Sequence, residues 1–422
     1  MKPMPRLLAC AAVLALAPLV FPQGGALSLL SQMGTMILLC LSMNLLLGEG
    51  GMLSFGHAVY SGLGAFGVIH LMNLAGAGVI DFPVTLLPLA GGVVGALCGV
   101  LLGYLTTRRA GTTFSMITLG LVELVAAAVP MFPDLFGGEG GISGNRVLGQ
   151  AVLGVSYGPQ IEVYYLIAGW LLVCAVAIHA VKATPLGLML NAVRDNPERA
   201  AFVGYDPQRV RYLALIISAF FAGVAGGLAA INFEIVTGEY VGAARSGAIL
   251  LFTFIGGAAH FYGPIIGAVV GVLFSSLLSA YTPAWQFYLG LLFIAVVLWL
   301  PGGLAQVLDH LLRLLRARAL APTLARRCLL QALAGLAALA GLVLGVEALY
   351  RLSLGNLLGE SQVALTLPAG MAIELHGVGV WLLALLLLAG GVALLARGRL
   401  AWRTAWRAAW ARVEAFEGGA HE

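Results

Sequence analysis

Charge is what this chain has least of. Its 422 residues include only 22 basic and 18 acidic side chains, whereas a soluble domain carries roughly a quarter charged residues. That scarcity excludes an ordinary solvated globule. It also leaves no basic surface broad enough for nucleic acid, and a pI near 8.9 reports loop placement rather than a polyanionic partner. Cysteine is sparse as well. Cys10, Cys40, Cys98, Cys174 and Cys328 lie in or beside apolar runs and none forms a CxxC pair, so no disulfide framework is indicated. They read as small packing residues. The chain contains no GxxxxGK[ST], no HExxH, no nucleophile–base arrangement and no paired carboxylates, and its histidines do not cluster as ligands. It is therefore expected to be no enzyme, to have no ATPase site of its own, and to need no metal or cofactor.

What is abundant is long apolar runs and glycine: mean hydropathy is +1.00, with 57 glycines. Crossing the hydrocarbon core takes ~20 apolar residues per helix. The expected fold is an all-α polytopic membrane protein with about twelve transmembrane helices, at 7–22, 28–47, 55–73, 84–106, 112–131, 161–181, 212–231, 244–259, 262–281, 284–300, 328–349 and 377–396. Residues 7–22 resemble a signal peptide, but Pro18 follows Ala15-Leu16-Ala17 directly, so a retained first helix is expected. With both termini cytoplasmic, nineteen basic residues fall inside and three (Arg146, Arg245, Arg351) outside. That is the positive-inside bias. Spans 244–259 and 262–281 are the weakest, and read equally as a broken or re-entrant pair.

Five regions are expected. They are an N-terminal membrane helix (1–27), a core (28–305), a basic cytoplasmic linker (306–327), a two-helix membrane hairpin (328–396) and a cytoplasmic tail (397–422). In the tail, Trp402, Trp406, Ala409, Val413 and Phe416 share one helical face, with Arg403 and Arg407 beside it. This pattern suits an amphipathic helix on membrane lipid, or else a disordered basic tail.

The scarce charge is concentrated in one place. Lys182 to Arg211 holds Lys182, Arg194, Asp195, Glu198, Arg199, Asp206, Arg209 and Arg211, eight of the forty charged residues. The same stretch contains three helix starts. Thr184-Pro185, Asn196-Pro197 and Asp206-Pro207 each put a capping side chain before a proline, which suits the first helical position. Gly204 can end the second short helix with a positive φ. A loop whose only task is to hold positive charge inside needs arginines but not three capped starts.

That loop, together with the helix after it, resembles the coupling loop of the permease subunits of ABC importers for branched-chain amino acids. Four further segments agree in order: LGEGGMLSFGHAVYSGLGAF (47–66), TTFSMITLGLVELV (112–125) with GGEGGISG (137–144), FIGGAAHFYGPIIGA (254–268) and VLWLPGGL (297–304). The likeness covers about 30–305 and is closer to the LivM-type than to the LivH-type member. It implies that cytoplasmic ATP-binding subunits dock on Pro185–Gly204, with Thr184, Pro185, Gly187, Arg194, Asn196, Ala200 and Gly204 at matching positions. Where Leu188 and Asn191 stand here, members often carry basic residues. The resemblance also implies a second homologous permease subunit, a periplasmic substrate-binding protein and residence in the bacterial inner membrane. The implied cargo is branched-chain or other hydrophobic amino acids, with urea, amides or aromatic acids as the alternative.

Asn44, Ser54, His57 and Gly62 fall in or before a segment dense in small residues, and the resemblance makes them translocation-path contacts. Close helix packing explains the small residues equally well. Glu123 is the one acid well inside an expected span, where acids face a cavity or a partner. It stands as a path or gating residue, or as a buried structural hydrogen bond. The glycines of 137–144 permit tight turns, and GGAAHFYGPIIGA reads as a tight interhelical turn. External acids Asp81, Asp134, Glu139, Glu234 and Glu239 are candidates for docking the binding protein. An ion-coupled secondary transporter is the rival class, but it would bury several ionisable groups near the midplane.

Overall fold

A computed structural model describes residues 4–148, 156–317, 322–358, 364–366, 372–374 and 378–419. Lys2 and Arg318 of the basic tally, and residues 149–155 between the fifth and sixth expected spans, lie outside the described residues. The chain forms two compact units, Met1–Gln306 and Val307–Glu422.

The first unit is helical almost throughout. It begins with α1 (Met4–Val20), α2 (Gly24–Asn44), α3 (His57–Gly76), α4 (Leu87–Thr106) and α5 (Thr112–Met131). A short α6 (Pro133–Phe136) precedes α7 (Gln160–Ala183), the short pair α8 (Pro185–Asp195) and α9 (Pro197–Phe202), and the long α10 (Pro207–Phe233). Then come α11 (Ala243–Gly256), α12 (Gly263–Val272), the one-turn α13 (Ser279–Tyr281) and α14 (Trp285–Trp299), with α15 (Gly303–Arg316) starting at the unit's end. Single π-turns extend α2 over Leu45–Glu49 and join α12 to α13 over Leu273–Leu278.

Among the described residues, nine helices are long and apolar enough to cross a membrane, or ten if the bent pair α14–α15 is one span. Twelve were expected. α1 falls short with 17 residues and α11 with 14. The physical reason at α11 is the chain before it. Ile235–Val236 is extended and Gly238–Val241 is a 3-10 turn, so the helix cannot begin before Ala243, and Gly257 ends it, which leaves most of the expected 244–259 helical but too short to cross. Its expected broken partner is intact, since Gly263–Tyr281 reaches full length.

α10 is the centre of the unit, wrapped by α2, α3, α4 and α7. Without water to expel between apolar helices, close van der Waals packing has to hold them, and small residues permit it. A methyl on Gly223 would meet the Gly91 carbonyl of α4, and one on Gly226 would meet the Ser61 carbonyl of α3. The glycines at those positions are what let three backbones touch.

At the far end of α10, Arg146 works as a staple. Its guanidinium donates to the carbonyls of Tyr157 (2.7 Å), Ile231 (3.3 Å), Asn232 (3.2 Å) and Gly158 (3.2 Å). Glu234 accepts from the Arg146 backbone N–H, so this acid, a candidate for docking a partner, serves the fold. Asp81, Asp134, Glu139 and Glu239 are exposed. Each orphaned buried carbonyl costs about 1–3 kcal/mol. Arg146→Ala is therefore expected to lower the unfolding midpoint of the purified protein clearly, while Glu139→Ala leaves it unchanged; differential scanning fluorimetry in detergent reads both.

In the second unit, α16 (Pro322–Leu358) and α17 (Val378–Gly419) run antiparallel. Gly391 of α17 lies on Ala334 and Ala338 of α16, and Gly341 of α16 on Ala384 and Leu388 of α17. The tail expected as a separate surface helix is instead the uninterrupted continuation of α17. No proline breaks it, and Gly398 stays helical against Gln331. Its Trp406 and Trp410 rings pack on His310, and Leu314, Leu324, Ala409 and Val413 form a small buried cluster.

Candidate functional site

The charged loop folds from its own caps. Thr184 Oγ1 accepts from Gly187 N (3.4 Å), Asn196 Oδ1 from Arg199 N (3.0 Å), and Asp206 Oδ1 from Gln208 N (2.9 Å). Pro185, Pro197 and Pro207 take the first helical positions. α9 ends at Gly204, φ +96°, with Gly204 N bonded to Ala201 O and Tyr205 N to Ala200 O. That pair of bonds is a Schellman motif, which satisfies the last carbonyls of the helix.

The seven loop residues singled out from sequence divide by role. Gly187 is buried, and a Cβ there would strike the carbonyls of Val181 and Lys182; it lets α8 fold back against the end of α7. Ala200 is also buried. Thr184, Pro185, Asn196 and Gly204 shape the loop. Arg194 reaches inward, donating from Nη1 to Gly48 O and pairing with Asp195 at 3.0 Å. The surface itself belongs to other residues, of which the sequence reading named only Leu188, as a departure from the family. Phe202 is 90% exposed, Val203 76%, Leu188 59% and Tyr205 44%. Four large apolar side chains are thus left exposed on or just after two capped helices, a surface suited to a partner.

Behind the patch, α8 grips the end of α2. Glu49, last residue of the π-turn, forms an ion pair with Lys182 and accepts from Asn191 Nδ2 at 2.9 Å. Gly51, φ +61°, leaves its Cβ position to the Arg194 side chain. The chain from 52 to 56 is not helical, and α5 satisfies its polar groups. Ser115 Oγ donates to Leu53 O (2.8 Å) and Thr118 Oγ1 accepts from Phe55 N (3.1 Å). Irregular backbone at membrane depth needs such partners.

His57 opens α3 inside this region. Its Nε2 lies 2.8 Å from Ser42 Oγ, and Ser218 Oγ donates to Ser42 O at 2.6 Å, joining α2, α3 and α10. Asn44 Oδ1, Ser54 Oγ and His57 Nδ1 are sealed without hydrogen-bond partners. Native interiors rarely tolerate this, so three of the five path candidates are polar groups shut away from any partner. Gly62 receives the chain before α11, since a Cβ on it would meet Val241 Cγ1 and the Tyr240 carbonyl. Glu123 stands apart from them, exposed on α5 along with Met116 and Leu124.

Comparison with known proteins adds the following. The family model for the permease component of branched-chain amino acid transport systems matches residues 25–298. The high-affinity branched-chain amino acid transport system permease protein LivM of Salmonella typhimurium is 30% identical over 299 residues, covering 66% of this chain and 69% of that protein. LivM of Escherichia coli is 28% identical over the same shares. A probable branched-chain amino acid transport permease protein LivH of Methanocaldococcus jannaschii is 25% identical over 257 residues, or 58% of this chain and 78% of that one. No solved structure matches the chain.

Proposed function

The chain belongs to the family of permease components of branched-chain amino acid transport systems, and from that membership we propose that it is the LivM-type membrane subunit of an ATP-driven importer in the bacterial inner membrane. In this reading a periplasmic binding protein delivers a branched-chain or other hydrophobic amino acid. The solute passes between this chain and a second, homologous permease. Separate cytoplasmic subunits bind and hydrolyse ATP, and the permease pair shifts between outward-open and inward-open states.

The observation that carries the proposal is the exposed apolar patch on the capped loop. Leu188, Phe202, Val203 and Tyr205 lie outside every core cluster, yet the helices that present them are fixed by caps and by the Arg194 and Asn191 contacts to the end of α2. An ATPase subunit seated there would cover the patch and push on α8. Glu123, on the open face of α5, would face the second permease, since an acid is costly against lipid.

The test is a pull-down of the tagged chain from its native membranes in mild detergent, wild type beside Phe202→Glu and Leu188→Glu. Both positions are exposed, so folding is expected to persist. An ATP-binding protein is expected with the wild type, and about tenfold less with either variant, the equivalent of roughly 1.4 kcal/mol at a central contact. If no ATPase is recovered, or if it binds both variants as well as wild type, the docking role falls.

A further inference from the structure

The first turn of α11 carries a cation, Arg245, whose side-chain partner is Tyr240. Arg245 stacks its guanidinium over the Tyr240 ring, 4.2 Å from the centroid. Its Nε is sealed and has no hydrogen-bond partner. Among the described residues no carboxylate is found against it, only Tyr240. A cation inside a membrane bundle is normally paired or faces a path, and the residue as a whole retains a partly open surface.

Its setting explains what kind of ligand. α11 starts part-way along α3, not at the end of the bundle. Val241 rests on Gly62, and Ser246 Oγ accepts from Ala58 N at 3.0 Å, both within the first two turns of a helix that runs to Gly76. The N-cap, Gly242, contributes no side-chain bond. The first N–H groups of the helix, on Ala243 to Arg245, therefore have no partner within it, and that end carries the positive pole of the helix. A helical side chain leans toward its own N-terminus. Since Tyr240 precedes the helix, stacking on it holds the guanidinium beyond the first turn, at the open end. Oriented N–H groups, the helix pole and a planar fork of donors select the same ligand, a carboxylate.

We propose that Arg245, Tyr240 and the uncapped N-terminus of α11 form a carboxylate site in the permeation path, which takes the α-carboxylate of the passing solute. The proposal rests on the amino-acid importer reading above. It also gives Gly62 a task, because only a residue without a side chain lets the segment carrying Tyr240 settle against α3.

The experiment uses the full transporter in lipid nanodiscs, its native cysteines replaced, with Ala244→Cys beside the site. Ala244 is exposed. Anionic sulfonatoethyl and cationic trimethylammonioethyl methanethiosulfonates compete for this thiol, and Met116→Cys on the open face of α5 is the reference. The anionic reagent is expected to be favoured about tenfold at residue 244 relative to the reference, as a focused positive potential requires. Arg245→Gln should cancel that preference. In the wild-type Arg245 background, leucine should slow the anionic reagent and leucinamide, which lacks the carboxylate, should not. The proposal is overturned by equal reactivity toward both reagents, by a preference that survives Arg245→Gln, or by protection from leucinamide equal to that from leucine. Protection by acetate but by no amino acid would uphold the carboxylate site and overturn the amino-acid reading instead.

Discussion

Gly226→Ala is expected to abolish accumulation of the folded protein, although it adds a single methyl group. The methyl would have to occupy the position of the Ser61 carbonyl in α3, and neither backbone can move alone. α10 is held on the same side by Gly223 against Gly91 and Gly95 of α4. Pushing α3 away from α10 also strains the link that runs from His57 of α3 through Ser42 of α2 to Ser218 of α10. Overpacking a core costs about 1–3 kcal/mol when side chains can yield, and here the obstacle is main chain. Gly120→Ala and Gly169→Ala are the controls, because a Cβ on either meets nothing within 4 Å and alanine favours helix. Fluorescence-detected size-exclusion chromatography in detergent should give a monodisperse peak for both controls and none for Gly226→Ala. A normal peak for Gly226→Ala would mean that the α3–α10 contact is looser than the structure has it.

This seam shows what the sequence makes legible. Density of small residues in SFGHAVYSGLGAF and AFFAGVAGGLAA reads as close packing of membrane helices, but not which glycine meets which carbonyl, because that depends on register between helices. The three capped starts are legible in full. Thr184, Asn196 and Asp206 act on N–H groups two or three residues away, so nothing distant can override them. Span length is legible only where apolar composition and helical backbone coincide. Residues 244–259 are apolar enough to look like a crossing, yet the helix there has only 14 residues, because the chain just before it pairs Ile235–Val236 with Ile142–Ser143 and turns at Gly238–Val241. The Trp face of α17 misleads in a related way, since an amphipathic pattern tells that a face is covered and not what covers it.

The site follows the same division. Residues that shape the loop are found from local rules; those that present a surface or transmit a motion are not. Phe202, Val203 and Leu188 look like ordinary apolar residues until burial is known. Glu49 sits in a segment legible only by its family resemblance, and its partners Lys182 and Asn191 are more than a hundred positions away. Asn191 departs from the basic residue often found at that position, and the structure supplies a reason: Lys182 already pairs with Glu49, so an amide completes the carboxylate where a second cation would compete with the first.

Reversing the charge at Glu49 is expected to uncouple ATP hydrolysis from uptake. Glu49 has 13% of its side chain exposed and Lys182 24%, so the pair is screened less than a surface bridge, and removing one partner leaves the other half-buried and unpaired. The mechanical consequence is larger than the energetic one. On the proposed function, movement of α8 would reach the membrane through its two contacts with the end of α2, Asn191 on the Glu49 carboxylate and Arg194 on Gly48 O. Beyond Gly51 lies the non-helical stretch to Gly56, and then His57. Asn44, Ser54 and His57, the polar groups now shut in, are all within eight residues of Glu49 along the chain. A pull on this segment is therefore the shortest route by which a docked ATPase could uncover them. In proteoliposomes, Glu49→Lys should keep the ATPase bound and hydrolysing while solute uptake falls about tenfold, and Glu49→Lys with Lys182→Glu should recover part of it, the signature of direct coupling between two residues. Equal uptake by Glu49→Lys and wild type would sever this route. Loss of the ATPase itself would make Glu49 a determinant of docking instead. A double variant no better than the single would assign the effect to Asn191 and the π-turn rather than to the ion pair.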